Sequence, residues 1–82
     1  VRLRICAALT EVASMEFSVL TRQLELSDSV LSKHLARLMA VGYVEMRKAS
    51  ESGHLRTRVL LTDEGRAAYT SHIAALRELL DL

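Results

Sequence analysis

Apolar residues along this chain recur first with the period of a helix, then with that of a strand, then with that of a helix again. Ile5, Leu9 and Val12 stand at i, i+4 and i+7 with Cys6, Ala8 and Ala13 beside them, which predicts a first helix over about 2–13. Met15-Glu16-Phe17 interrupts that pattern and reads as a short extended break anchored by Phe17. Ser18 then stands in a capping position ahead of Val19, Leu20 and Leu24, so a short second helix is expected over about 18–25. Glu25-Leu26 leaves room only for a tight turn. Ser27 caps a third helix over about 28–40, in which Leu31, Leu35 and Leu38 form one stripe. Gly42 ends it, because glycine enters the left-handed conformation without a steric penalty.

After Gly42 the period drops to two. Val44 and Met46 alternate with Glu45 and Arg47, while Val59 and Leu61 alternate with Arg58 and Leu60. Strands are expected over about 43–48 and 56–61, joined by the loop 49–55 with Gly53 as its turn residue. Such a hairpin buries one face and leaves Arg47, Lys48, His54, Arg56 and Arg58 to its other face and tip. Thr62 caps a last helix over about 63–81, whose first turn carries Asp63 and Glu64 at the positive end of the helix dipole. Its apolar residues fall in two stripes: Tyr69, Ile73, Leu76 and Leu80, and Ala68, Ala75, Leu79 and Leu82. A helix apolar on more than one face needs more than one surface to bury against. In so small a chain, the second surface is expected to be another copy of itself.

With 82 residues there is room for one small domain, which buries roughly 60% of its unfolded surface and is only marginally stable alone. The formal charge of +1 conceals an uneven distribution. Six cations face three acids between Ser27 and Leu60, against five and seven elsewhere. That asymmetry marks a basic surface on a neutral body. No stretch approaches the ~18 apolar residues of a membrane span, nothing resembles a signal peptide, and a start at Val1 is what a trimmed chain would show. A single cysteine excludes an internal disulfide, so a cytoplasmic setting is expected.

Catalytic chemistry finds little support. No nucleophile turn, glycine-rich phosphate loop or carboxylate pair is visible, so an enzyme is not expected. His34, His54 and His72 lie in different elements, which argues against a dedicated metal site, and no cofactor is implied. Cys6 sits in the apolar run RICAAL with only Arg4 nearby, where a thiol behaves as a small hydrophobe. His34 flanks the leucine stripe and suits a bracing role.

The third helix carries more information. Opposite its leucines lie Ser29, Ser32, Lys33, Ala36 and Arg37, all small, hydroxylic or cationic. Many helices show charge outward only because water is there; short donors with positive charge also suit a DNA major groove. The surrounding elements favour the second reading. FSVLTRQLELSDSVLSKHLARLMAVGYVEMRK, followed by LTDEGRAAY, resembles the winged helix-turn-helix of small MarR/ArsR-like bacterial transcription regulators over nearly the whole chain.

That resemblance implies a mainly α fold with a small β-hairpin wing: a three-helix core plus a C-terminal dimerisation helix. Helix 28–40 would be the recognition helix, and wing 47–58 would lie on the backbone or in the minor groove. Gly42 to Val44 would open the wing, and LTDEGR would lead into the dimer helix. The implied function is a dimeric, sequence-specific repressor on double-stranded DNA. Its operator would be pseudo-palindromic, with half-sites about one helical turn apart. Ser29, Ser32, Lys33 and Arg37 would meet the major groove, Arg47, Lys48, Arg56 and Arg58 the phosphates, and Tyr69, Ile73, Leu76, Leu79 and Leu80 the second subunit. Three residues depart from the family pattern: Glu25 where many relatives have glycine, Asp28 close to phosphates, and Glu51 at a wing tip that is often basic. The near-neutral charge and acidic tip also fit a protein-interaction module in a larger assembly. A pocket between the last helix and the body would suit a small-molecule effector.

Overall fold

Leucine and isoleucine from three helices meet one face of a small sheet, and that contact organises the molecule. The structure, a computed structural model, describes Val1–Asp81. Its elements are α1 (Arg2–Thr10), β1 (Met15–Glu16), α2 (Phe17–Leu24), α3 (Asp28–Ala40), β2 (Val44–Glu51), β3 (His54–Leu61) and α4 (Asp63–Leu80). Ile5 and Leu9 of α1, Leu20 of α2, Leu31 and Leu35 of α3, and Val59 of β3 are fully buried. Each such side chain contributes about 1.5–3 kcal/mol through the water it leaves.

Helix α1 stops at Thr10, three residues short of the position expected from its apolar spacing. The Thr10 hydroxyl donates to the Ala7 carbonyl, the same bond that Thr21 makes to Ser18 inside α2. The Arg66 guanidinium takes the Thr10 carbonyl from outside, so the helix end is closed by α4. The extended break that follows is a strand. β1 pairs antiparallel with β3 through Met15 to Val59 and Glu16 to Arg58, giving a three-stranded sheet ordered β1-β3-β2 in place of the expected two-stranded hairpin.

Ser18 does not cap α2. The helix starts one residue earlier, at Phe17, with Glu16 in the cap position and no side-chain cap bond. At its other end Glu25 adopts φ 56°, ψ 46°, and the Leu26 N–H donates back to the Thr21 carbonyl at 3.0 Å. A left-handed residue there costs roughly 1–2 kcal/mol, offset by Leu26 packing on the core.

The two other expected caps are present. Ser27 Oγ accepts from Val30 N–H at 3.2 Å, and Thr62 Oγ1 accepts from Gly65 N–H at 3.0 Å. After α3, Gly42 at φ 80° lets the Tyr43 N–H reach the Leu38 carbonyl at 2.9 Å. The hairpin is longer than its alternating pattern suggested. Pairing runs from Val44–Leu61 to Glu51–His54, so most of the expected loop 49–55 is strand. Ser52 and Gly53, at φ 51° and 78°, make a two-residue turn whose twist matches that of the strands.

Helix α4 is seated on the start of the wing. Thr62 donates its hydroxyl to the Gly42 carbonyl at 2.6 Å and its N–H to the Tyr43 carbonyl at 3.0 Å. Gly65 is buried against Tyr43, where any Cβ would overlap the carbonyl oxygen. The helix ends at Leu80, and Leu82 of the second apolar stripe lies outside the described residues. No helix among the described residues is long and apolar enough to cross a membrane.

Candidate nucleic-acid interface

The leucine stripe fixes how α3 is presented. With Leu31, Leu35 and Leu38 buried, the opposite side must face out, and Ser29, Ser32, Lys33, Ala36 and Arg37 are all exposed. Sequence spacing placed these five on one face, and the structure keeps them together. Asp28, in the first turn, complements the helix dipole. His34 stands half-buried at the flank with its Nδ1 buried and unpartnered. Burial first, then the positive charges of Arg2, Arg37 and Lys33, hold its imidazole below the usual value. The neighbourhood of the exposed face is therefore cationic. Cys6 is buried, and burial pushes its thiol upward, away from a reactive thiolate.

The wing is organised differently from its expected charge pattern. Successive strand residues alternate between faces, and the register pairs Arg47 with Arg58 and Lys48 with Thr57. Arg47, Arg56 and Arg58 therefore start from the face turned away from the core, although Arg56 also borders the groove beside α3. Lys48 lies on the other face with Thr57 and Leu55, so the single cationic face expected from the sequence is split.

The arginines are also engaged. Arg47 pairs with Glu45 at 2.9 Å and Arg56 with Glu16 at 3.3 Å. Arg58 reaches Glu51 at 3.3 Å, the Ser14 hydroxyl at 2.7 Å and the Ser14 carbonyl at 3.3 Å. The first two are exposed pairs, worth little and easily exchanged. Arg58, with its side chain 31% exposed, ties β3 to the loop after α1. Lys48 forms no ion pair among the described residues.

An open groove of about 380 Å³ runs between α3 and the wing, lined by Ser18, Ser32, Met46, Leu55, Arg56 and Thr57 among others. Ser18, Leu55 and Thr57 were absent from the sequence-based set. Stepping back by twos from buried Val59 places Thr57 and Leu55 on the α3 side, so the signal for these two was present. The sequence marks Ser18 only as a helix cap; its place at the groove depends on β1 turning directly into α2.

Away from this face, a cleft of about 320 Å³ lies among α1, Tyr43 and α4, lined by Arg2, Cys6, Leu38, Tyr43, Tyr69 and His72 among others. Of the residues assigned to a second subunit, Tyr69 packs partly on its own core and Ile73 is half-buried. Leu76, Leu79 and Leu80 are 37%, 67% and 83% exposed. Among the described residues, no three His, Cys, Asp or Glu side chains converge as a metal site.

Comparison with known proteins bears on the family and the fold. The family described as winged helix DNA-binding domain matches residues 1–80. The uncharacterized protein MJ0432 of Methanocaldococcus jannaschii is 34% identical over 79 residues, covering 96% of this chain and 86% of the relative. A solved structure of a transcriptional regulator homologue from Pyrococcus horikoshii superposes with a TM-score of 0.91 at 28% identity, covering 98% of this chain and 79% of the other. Apo MarR from E. coli superposes with a TM-score of 0.77 at 21% identity, covering 85% of this chain and 51% of its own, a likeness of fold.

Proposed function

The chain belongs to the winged helix DNA-binding domain family, and on that premise we propose that it is a dimeric transcriptional regulator acting as a repressor. It reads duplex DNA through α3, in the cytoplasm. The observation that carries this reading is the uncovered face of α3, where Ser29, Ser32, Lys33 and Arg37 stand exposed opposite three buried leucines. Hydroxyls and a lysine in the first turns suit base edges in the major groove. Arg37, one turn later, supplies a planar fork for guanine or a phosphate. Lys48 and, after release from their acidic partners, Arg47 and Arg56 supply backbone contacts from the wing. The regulator likeness of the Pyrococcus structure points the same way.

Dimerisation is assigned to α4, which exposes Leu76, Leu79 and Leu80 along one side. A symmetric pair would set two α3 helices against successive major grooves and so select a two-fold-related site.

Selection of bound sequences from a random duplex pool, followed by mobility shifts on the enriched site, tests the reading. Lys33→Ala and Arg37→Ala are each expected to weaken binding by roughly 10- to 100-fold, corresponding to about 1–3 kcal/mol per base-edge contact. Their melting temperatures should stay within a few degrees of the parent, since both side chains are exposed. Parental affinity in both variants would overturn the assignment of α3. The paired arginines favour a second reading, a protein-interaction module with a largely neutralised wing. It requires no DNA binding even at low salt, whereas the first requires a steep salt dependence.

A further inference from the structure

We propose that Glu16 occupies, in the free protein, the place that a DNA backbone phosphate takes in the complex, so that its carboxylate competes with DNA for Ser18 and Arg56. The proposal rests on the DNA-binding reading above and concerns how strongly that surface holds a duplex.

One oxygen, Glu16 Oε1, accepts from the Ser18 hydroxyl at 2.9 Å and from Arg56 Nη1 at 3.3 Å. A hydroxyl and a guanidinium converging on one anionic oxygen form a donor set that also suits a phosphate. The cluster borders the groove between α3 and the wing, and Ser32 from the exposed face of α3 lines the same groove. A backbone strand lying there, with α3 in the major groove and the wing alongside, brings a phosphate against Ser18 and Arg56. The single Ser18 hydroxyl hydrogen can serve only one of the two anions, and a carboxylate and a phosphate side by side on Arg56 repel each other, so the two compete.

The carboxylate is the group free to go. Glu16 holds the cap position of α2 without making a side-chain cap bond, and it pairs with β3 through its backbone. The Arg56 side chain is 46% exposed and that of Glu16 is 23% exposed. The guanidinium end of the pair is open to solvent and can exchange partners, while the carboxylate, about three-quarters covered, must swing outward to leave. On binding, the phosphate takes the Ser18 hydroxyl and the guanidinium, and Glu16 turns to water. Part of the attraction between Arg56 and DNA is spent on breaking the internal pair. Glu16 thereby lowers affinity without touching a base, leaving sequence preference unchanged.

The test measures binding of a labelled mixed-sequence DNA duplex across a range of salt concentrations. The proteins are the parent, Glu16→Gln, Arg56→Ala and the double variant, with Glu16→Ala as a second replacement and thermal melts to confirm folding. Glu16→Gln is expected to tighten binding by roughly three- to tenfold at ~0.1 M salt, as a competing anion is removed. Arg56→Ala should flatten the log–log salt slope by about 0.9, the value of one phosphate contact. In the Arg56→Ala background the gain from Glu16→Gln should shrink to less than about twofold, with only diffuse repulsion left to relieve. An unchanged affinity in Glu16→Gln and Glu16→Ala, or an equal gain with and without Arg56, overturns the competition. A parent that binds no duplex at low salt overturns the DNA-binding reading itself, and this inference with it.

Discussion

At the scale of single residues, Gly65 sets the relation between the C-terminal helix and the wing. It follows Thr62 by three positions, donates its N–H to the Thr62 hydroxyl, and lies against the Tyr43 carbonyl. The obstacle a Cβ would meet is backbone, which cannot rotate aside like the end of a long side chain. Gly65→Ala must therefore lift the first turn of α4 and strain the Thr62–Tyr43 bond. A loss of about 3 kcal/mol is expected, at the upper end for overpacking. Urea unfolding would measure it, and a loss below about 0.5 kcal/mol, the range of ordinary surface changes, would show that α4 is not seated as described.

Single residues also govern where elements stop. The last carbonyl of α1, that of Thr10, is taken by Arg66 of α4, and Glu25 accepts a left-handed backbone so that Leu26 can reach the core. Both effects depend on backbone geometry and on contacts made outside the helix concerned. Apolar spacing is blind to them, which is why Val12 and Ala13 looked helical in the sequence.

At the scale of elements, α3 and the wing contrast in how much the sequence revealed. Ser27, the leucines and Gly42 are local signals that agree with one another, so α3 was legible to the residue. The wing was legible as a hairpin but not in its length or charge. Ser52-Gly53 permits a two-residue turn, yet alternation fades where Ala49 and Ser50 replace larger apolar residues. The pairing of Glu16 with Arg56 spans forty residues and needs β1 beside β3. No local pattern reports that.

The two faces of the wing should respond differently to substitution. Arg58→Ala removes bonds to Ser14 and Glu51 and should cost about 1 kcal/mol of stability, a typical figure for a part-exposed charged hydrogen bond. Lys48→Ala should leave the melt unchanged and flatten the salt dependence of DNA binding by about 0.9. Interchanged outcomes, with Lys48→Ala destabilising and Arg58→Ala only weakening binding, would reverse the roles given to these two residues.

At the scale of the whole molecule, the distribution of apolar surface matters most. The chain extends 52 Å along its long axis against 24 and 22 Å across, and Gly65 is the one buried residue of α4. Leu79 and Leu80 at 67% and 83% exposure contribute almost nothing to the folded monomer. In a two-fold pair each contact occurs twice, so burying them would supply several kcal/mol at roughly 2 kcal/mol per leucine. Replacing both leucines with aspartate should convert the protein to a monomer in sedimentation while leaving its helical signal intact. A parent that sediments as a monomer at high concentration would remove α4 from the interface.

The central claim is that the polar side of α3 and the groove beside it meet DNA. Amide shifts of the labelled protein, followed as duplex DNA is added, test it most directly. The largest changes are expected at Ser29, Ser32, Lys33 and Arg37, continuing to Ser18, Lys48 and Thr57 across the groove. Changes confined to the outer sheet face, at Glu45, Arg47 and Arg58, with α3 unmoved, would contradict it.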